Sequence, residues 1–226
     1  MQVAKIRYND IDAPAMFTRS LQKTGFGVLA EHPIHFELVN KVYKEWEEFF
    51  NSEKKHDYLF DPNNQDGYFP IGTENAKGYP IKDHKEFYHF YPWGRKPSTL
   101  SGATLELYDN LVSMTATLLE WIEENTPREI RSQFSEPLKD MIVGSQTNLL
   151  RVIHYPPFSG KENNKSLRAA AHEDINLITL LVAGTRPGLE AKDNNGKWHK
   201  ITTDPGTIIV NIGDMLEEAS GGYYPS

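Results

Sequence analysis

Ala171-His172-Glu173-Asp174-Ile175-Asn176-Leu177-Ile178-Thr179-Leu180-Leu181-Val182 sets an imidazole and a carboxylate two positions apart at the mouth of an apolar, β-branched run. Such a run predicts a buried strand. Residues i and i+2 of an extended chain point to the same side, so His172 and Asp174 could offer a nitrogen and an oxygen to one ion. The triplet alone says little, because His35-x-Glu37 and His84-x-Glu86 share its form. His35-x-Glu37 opens a helical pattern, where i and i+2 diverge by about 200° around the axis. His84-x-Glu86 reads as a polar segment with no strand on both sides, and only His172-x-Asp174 has a strand framework.

Outward from this stretch the second half of the chain is a series of short apolar runs. Residues 148–155, 175–182, 188–191, 198–201 and 207–212 are separated by Pro156-Pro157, Gly184, Asn194-Asn195-Gly196 and Pro205-Gly206. Regularly spaced short strands with turn residues between them predict a β-sandwich or jelly roll. The first half differs. Residues 12–21, 35–50 and 104–124 carry helical spacing, with Phe36, Val39, Val42, Tyr43, Trp46, Phe49 and Phe50 expected on one face of the second helix. In the third helix Leu107, Leu111, Met114, Leu118, Leu119 and Ile122 form the apolar side, and Pro127 follows its end. Residues 25–30 read as a short buried strand and 61–96 as loop or irregular strand. The expectation is an α+β fold, with a mainly helical region over 1–140 packed on a jelly-roll core over 141–226.

Composition narrows the chemistry. With 226 residues, a formal charge of −7 and no long Lys/Arg run, the chain is expected to be globular and not to bind nucleic acid. It has no cysteine, which excludes disulfides, iron–sulfur clusters, thiolate zinc and a cysteine nucleophile. Any metal must use His, Asp or Glu. Neither an export signal nor an apolar span of about 20 residues is apparent, so a cytoplasmic protein without a membrane partner is expected. Oligomeric state is not legible.

Several segments together carry a family resemblance. Residues 171–181 and Pro205-Gly-Thr-Ile-Ile-Val-Asn-Ile-Gly-Asp-Met-Leu-Glu217 closely resemble the core of isopenicillin N synthase-like iron(II)- and 2-oxoglutarate-dependent oxygenases. Leu150-Arg-Val-Ile-His-Tyr-Pro-Pro157 is similar to that family's Arg-to-Tyr-Pro strand. Gly25-Phe-Gly-Val28 with His32, Glu48-Phe-Phe50 with Lys54 and Lys55, Gly67-Tyr-Phe-Pro70 and Asp83-x-Lys85-Glu86 match in order.

The resemblance implies a double-stranded β-helix that holds Fe(II), uses 2-oxoglutarate and O2 as cosubstrates with ascorbate as an activator, and oxidises a small-molecule C–H bond. Two His and one carboxylate on one face of an octahedral Fe(II) leave three positions for cosubstrate and dioxygen. By this likeness His172 and Asp174 are metal ligands and Tyr155 hydrogen-bonds the cosubstrate carboxylate, although Ile153 stands where the family has Asn. Arg151 reads as an ion-pair partner. The second metal-binding histidine, and the Arg-x-Ser that grips the far carboxylate, are expected beyond Ser226. A polypeptide ending there is expected to bind iron poorly, to be inactive, and to leave Ile208, Ile209 and Val210 only partly covered along a sheet edge. Two other readings stay open: an iron oxidase without 2-oxoglutarate, and a non-catalytic jelly-roll binding protein. Phe87-Tyr-His-Phe-Tyr91 could line a pocket, and Lys165 and Arg168 could meet an anionic substrate.

Overall fold

The computed structural model describes residues 3–75, 79–160, 167–193 and 196–226. Lys165 and the Asn194-Asn195 part of the expected turn lie outside them. In chain order the elements are β1 (Lys5–Arg7), α1 (Ala13–Thr24), β2 (Phe26–Ala30), α2 (Phe36–Phe50), a 3-10 helix (Glu53–Tyr58), β3 (Gly67–Phe69), β4 (Glu86–Phe90), α3 (Ala103–Glu124), α4 (Arg128–Arg131), β5 (Leu150–His154), β6 (Ile178–Val182), β7 (Glu190–Lys192), β8 (Trp198–Lys200), β9 (Ile208–Ile212) and α5 (Asp214–Ala219). They fall into two compact units: Met1–Phe36 with Asn110–Gly144 and Glu173–Ser226, and Glu37–Asp109 with Ser145–His172.

The first unit is organised by a four-stranded sheet of order β1-β2-β9-β6. β9 is an interior strand, antiparallel to β2 on one side and to β6 on the other. Ile208, Ile209 and Val210 are therefore fully buried, and the expected partial exposure of these residues is corrected. α1 turns into β2 through Gly25, whose φ of +71° is the left-handed C-cap that glycine adopts without penalty, and whose N–H closes on Leu21 O at 2.7 Å. Tyr8 and Phe17 set their rings against Trp121 of α3. Tyr224 Oη lies 2.9 Å from Thr126 Oγ1, which ties residues after α5 to the end of α3.

In the second unit the sheet has order β3-β4-β5, and α2 covers one face of it. Val39, Val42, Trp46, Phe49 and Phe50 are buried as the helical spacing predicts, but Phe36 is 46% exposed because it only starts the helix. Trp46, Phe49 and Phe50 pack against Tyr88 and Tyr68, with ring centroids 5.0–6.3 Å apart. Trp46 donates its indole N–H to Thr104 Oγ1 at 3.0 Å, so the largest core side chain buries no unpaired donor. Among the described residues, no helix is long and apolar enough to cross a membrane.

Candidate metal centre

The strand anticipated from Ile175 begins at Ile178, so His172 and Asp174 lie ahead of β6 in a segment with no ladder of its own. Their orientation comes from hydrogen bonds instead of from strand alternation. Asp174 belongs to the first unit, where Thr179 Oγ1 donates to its Oδ2 at 2.6 Å and Asn211 Nδ2 donates to the same oxygen at 2.9 Å. Thr179 and Asn211 are cross-strand partners on β6 and β9, which fixes where the two donors meet. Thr179 Oγ1 also accepts from Asn176 Nδ2 at 2.9 Å.

The backbone around Asp174 is held just as firmly. Gly213, Asp214 and Met215 donate their N–H groups to Leu177 O (3.0 Å), Asp174 O (2.7 Å) and Asn176 O (3.2 Å). Gly213 is required here by close approach, since a Cβ at this position would sit 2.2 Å from Asn176 O and 2.7 Å from Asp174 O. Its φ of −111° is one that any residue adopts.

His172 closes the second unit. Its Nδ1 lies 2.8 Å from Ala170 O. A carbonyl oxygen only accepts, so this bond places a proton on Nδ1 and leaves Nε2 as the ring nitrogen for a metal. An imidazole nitrogen and a carboxylate, with no thiolate, are donors that suit Fe(II). Among the described residues, no group of three or more His, Cys, Asp or Glu is gathered to hold a metal.

Tyr155 follows β5 and is 40% exposed. Burial around its hydroxyl raises the phenol's pKa against the lowering charges of Lys85 and Arg151, so it stays a donor at neutral pH. Arg151 is the ion-pair residue expected: its Nη2 meets Glu74 Oε1 at 2.6 Å and its guanidinium lies 4.1 Å from the Phe87 ring centre. Phe87, Tyr88 and Phe90 are core residues. Arg168 lies 5.1 Å from the Phe158 ring centre, a cation–π contact.

The reading of His84-x-Glu86 needs correction. Glu86 is no polar loop residue: it begins β4, is 2% exposed, and is paired in register with His154. Lys55 Nζ (2.9 Å) and Tyr68 Oη (2.5 Å) meet its Oε2, and His154 Nδ1 lies 2.8 Å from its Oε1. Burial raises the Glu86 carboxyl, but the bonds from Tyr68, His154 and Lys55 and the Lys55 charge outweigh it and hold its pKa below the usual range. Both oxygens are committed, which removes Glu86 as a ligand.

Thr179, Asn211 and Gly213 were not assigned roles from sequence. The signal was present, since a Thr and an Asn that interrupt two apolar strand runs invite the question of what they bond.

Comparison with known proteins bears on the family. A sequence model described as the 2OG-Fe(II) oxygenase superfamily matches residues 146–226, and one described as the non-haem dioxygenase in morphine synthesis N-terminal region matches residues 15–109. Flavonol synthase 1 of Crocosmia x crocosmiiflora is 28% identical over 213 residues, which cover 89% of this chain; the chain spans only 62% of that enzyme's length. The crystal structure of a Shewanella oneidensis protein provisionally called an oxygenase superposes with a TM-score of 0.90 at 50% identity, covering 100% of this chain and 81% of the other. A full-length Neurospora crassa protein, solved in complex with α-ketoglutarate, superposes with a TM-score of 0.78 at 25% identity, covering 99% and 77%. The fold is thus the α+β, jelly-roll type of these oxygenases. With a family match over the segment that holds His172, Asp174, Thr179, Asn211 and Gly213, and a relative 50% identical that covers 100% of this chain and 81% of its own, the chain belongs to the 2OG-Fe(II) oxygenase superfamily.

Proposed function

We propose that the protein carrying this chain is a cytoplasmic iron(II)- and 2-oxoglutarate-dependent oxygenase that oxidises a C–H bond of a small molecule. The observation that carries this reading is the preparation of the two ligand candidates: His172 held as the Nδ1–H tautomer by Ala170 O, and Asp174 oriented by Thr179 and Asn211. His172 and Asp174 would hold the metal, with a second histidine from beyond Ser226 as third ligand. Bound iron supplies a centre at which O2 and 2-oxoglutarate react, releasing succinate and carbon dioxide while one oxygen atom enters the substrate. Tyr155, kept protonated, would donate to a carboxylate of the cosubstrate. The α-ketoglutarate bound by the Neurospora crassa relative supports this cosubstrate.

The test is succinate release from 2-oxoglutarate by the iron-loaded protein under air, with ascorbate and without added substrate. Slow release that disappears in a metal-free control is expected. No succinate above that control would refute the cosubstrate assignment and leave the oxidase and the binding protein.

A further inference from the structure

We infer that Asp83 is a positioning residue for His172, acting through the peptide units on either side of Ala170. This rests on the metal role proposed for His172.

Asp83 lies ahead of β4 and is 3% exposed. Its Oδ1 accepts the Ala170 N–H at 3.0 Å, and Ala170, itself 3% exposed, returns its carbonyl to His172 Nδ1 at 2.8 Å. The next residue adds a second tie, since the His84 N–H donates to Leu167 O at 2.8 Å. Two consecutive residues thus pin the strand-less segment that delivers the histidine at two points three residues apart. Without them that segment has no ladder to hold it.

Asp83 is in turn fixed. Its Oδ2 meets Lys85 Nζ at 3.0 Å, its own N–H donates to Glu74 O at 3.0 Å, and Lys85, 6% exposed, bridges to Glu74 Oε2 at 2.8 Å. Glu74 Oε1 takes Arg151 of β5. The line Arg151, Glu74, Lys85, Asp83, Ala170, His172 therefore runs from a strand of the second sheet to the imidazole through consecutive hydrogen bonds. Burial lowers the Lys85 pKa, but the bonds and charges of Glu74 and Asp83 outweigh it and keep the ammonium charged. Asp83 has two separable jobs, accepting an amide and balancing a buried cation.

The separation supplies the test. Asp83→Ala removes both jobs, whereas Asp83→Asn keeps an amide acceptor and loses the charge. Co(II) alone is the probe, titrated by its visible absorption into the parent, D83A, D83N and a His172→Ala baseline, each shown folded by circular dichroism. Positioning predicts that D83A loses about 10–100-fold in affinity, the range typical of groups that orient ligands, and that D83N stays within about threefold of the parent. Should D83A not fold, Ala170→Pro deletes the donor while leaving the ion pairs, and the same loss is expected of it. D83A or A170P binding as the parent does, or D83N falling as far as D83A, would overturn the inference. A parent that binds no better than the His172→Ala variant would refute the metal role of His172 itself, and the inference with it.

Discussion

Replacing Gly213 by Ala should damage the candidate metal centre from the backbone. The new Cβ would sit 2.2 Å from Asn176 O, 2.5 Å from Asn176 Oδ1 and 2.7 Å from Asp174 O, where ordinary contact begins near 3.4 Å. Residues 174–177 must retreat by about 1.2 Å, the difference between 3.4 and 2.2 Å. The bonds from Gly213, Asp214 and Met215, now 2.7–3.2 Å long, cannot survive that shift unstretched. Overpacking of this kind costs about 1–3 kcal/mol, and each weakened bond adds roughly 0.5–1.5 kcal/mol, so a loss near 3 kcal/mol is expected. Urea unfolding read by circular dichroism measures it, with Gly102→Ala as control, because nothing lies within 4 Å of a Cβ there. The control should stay within about 0.5 kcal/mol of the parent. A Gly213→Ala variant equally unchanged would refute the reasoning, since the segment bearing Asp174 would then be free to move aside.

Glu86→Gln should cost roughly 3 kcal/mol at neutral pH, because it leaves Lys55 without its buried counter-charge. The Glu86 carboxyl is held below its ordinary 4.5, so its contribution is complete above that pH and fades as pH falls below it. Unfolding midpoints of parent and variant should converge on acidification below 4.5, and a constant gap would contradict the assignment. His89 is a base whose stability contribution runs in the same pH direction. Burial, and then the Arg151 charge, push its imidazole down to about 4, so between 6.5 and 4 only the unfolded chain takes up the proton. Stability is complete above 6.5 and declines toward 4. His89→Phe should remove about one proton's worth of that decline, read from urea midpoints at several pH values.

The elements the sequence made legible are those whose signal is local. α2 and α3 were readable because Val39, Val42, Trp46 and Leu111, Met114, Leu118 recur at helical spacing and are all buried. β5, β6 and β9 were readable as apolar runs between turns. β1 was not, because Lys5-Ile6-Arg7 has one apolar residue and becomes a strand only by parallel pairing with β2. β4 was hidden for a related reason: Lys85 and Glu86 look like surface residues until Lys55, Tyr68, His154, Glu74 and Asp83, distant in sequence, compensate their charges. The same holds at the candidate site. His172 and Asp174 were identifiable from spacing and family likeness, whereas Asn211, 37 residues from Asp174, is placed beside it only by the register of β9 on β6.

The most direct measurement is Fe(II) content after anaerobic reconstitution of the protein carrying this chain, compared with its His172→Ala, Asp174→Ala and His84→Ala variants. One iron per chain is expected for the parent and for His84→Ala. Little or none is expected for the other two, with circular dichroism unchanged. Iron retained by both His172→Ala and Asp174→Ala would contradict the central claim that these two side chains hold the metal.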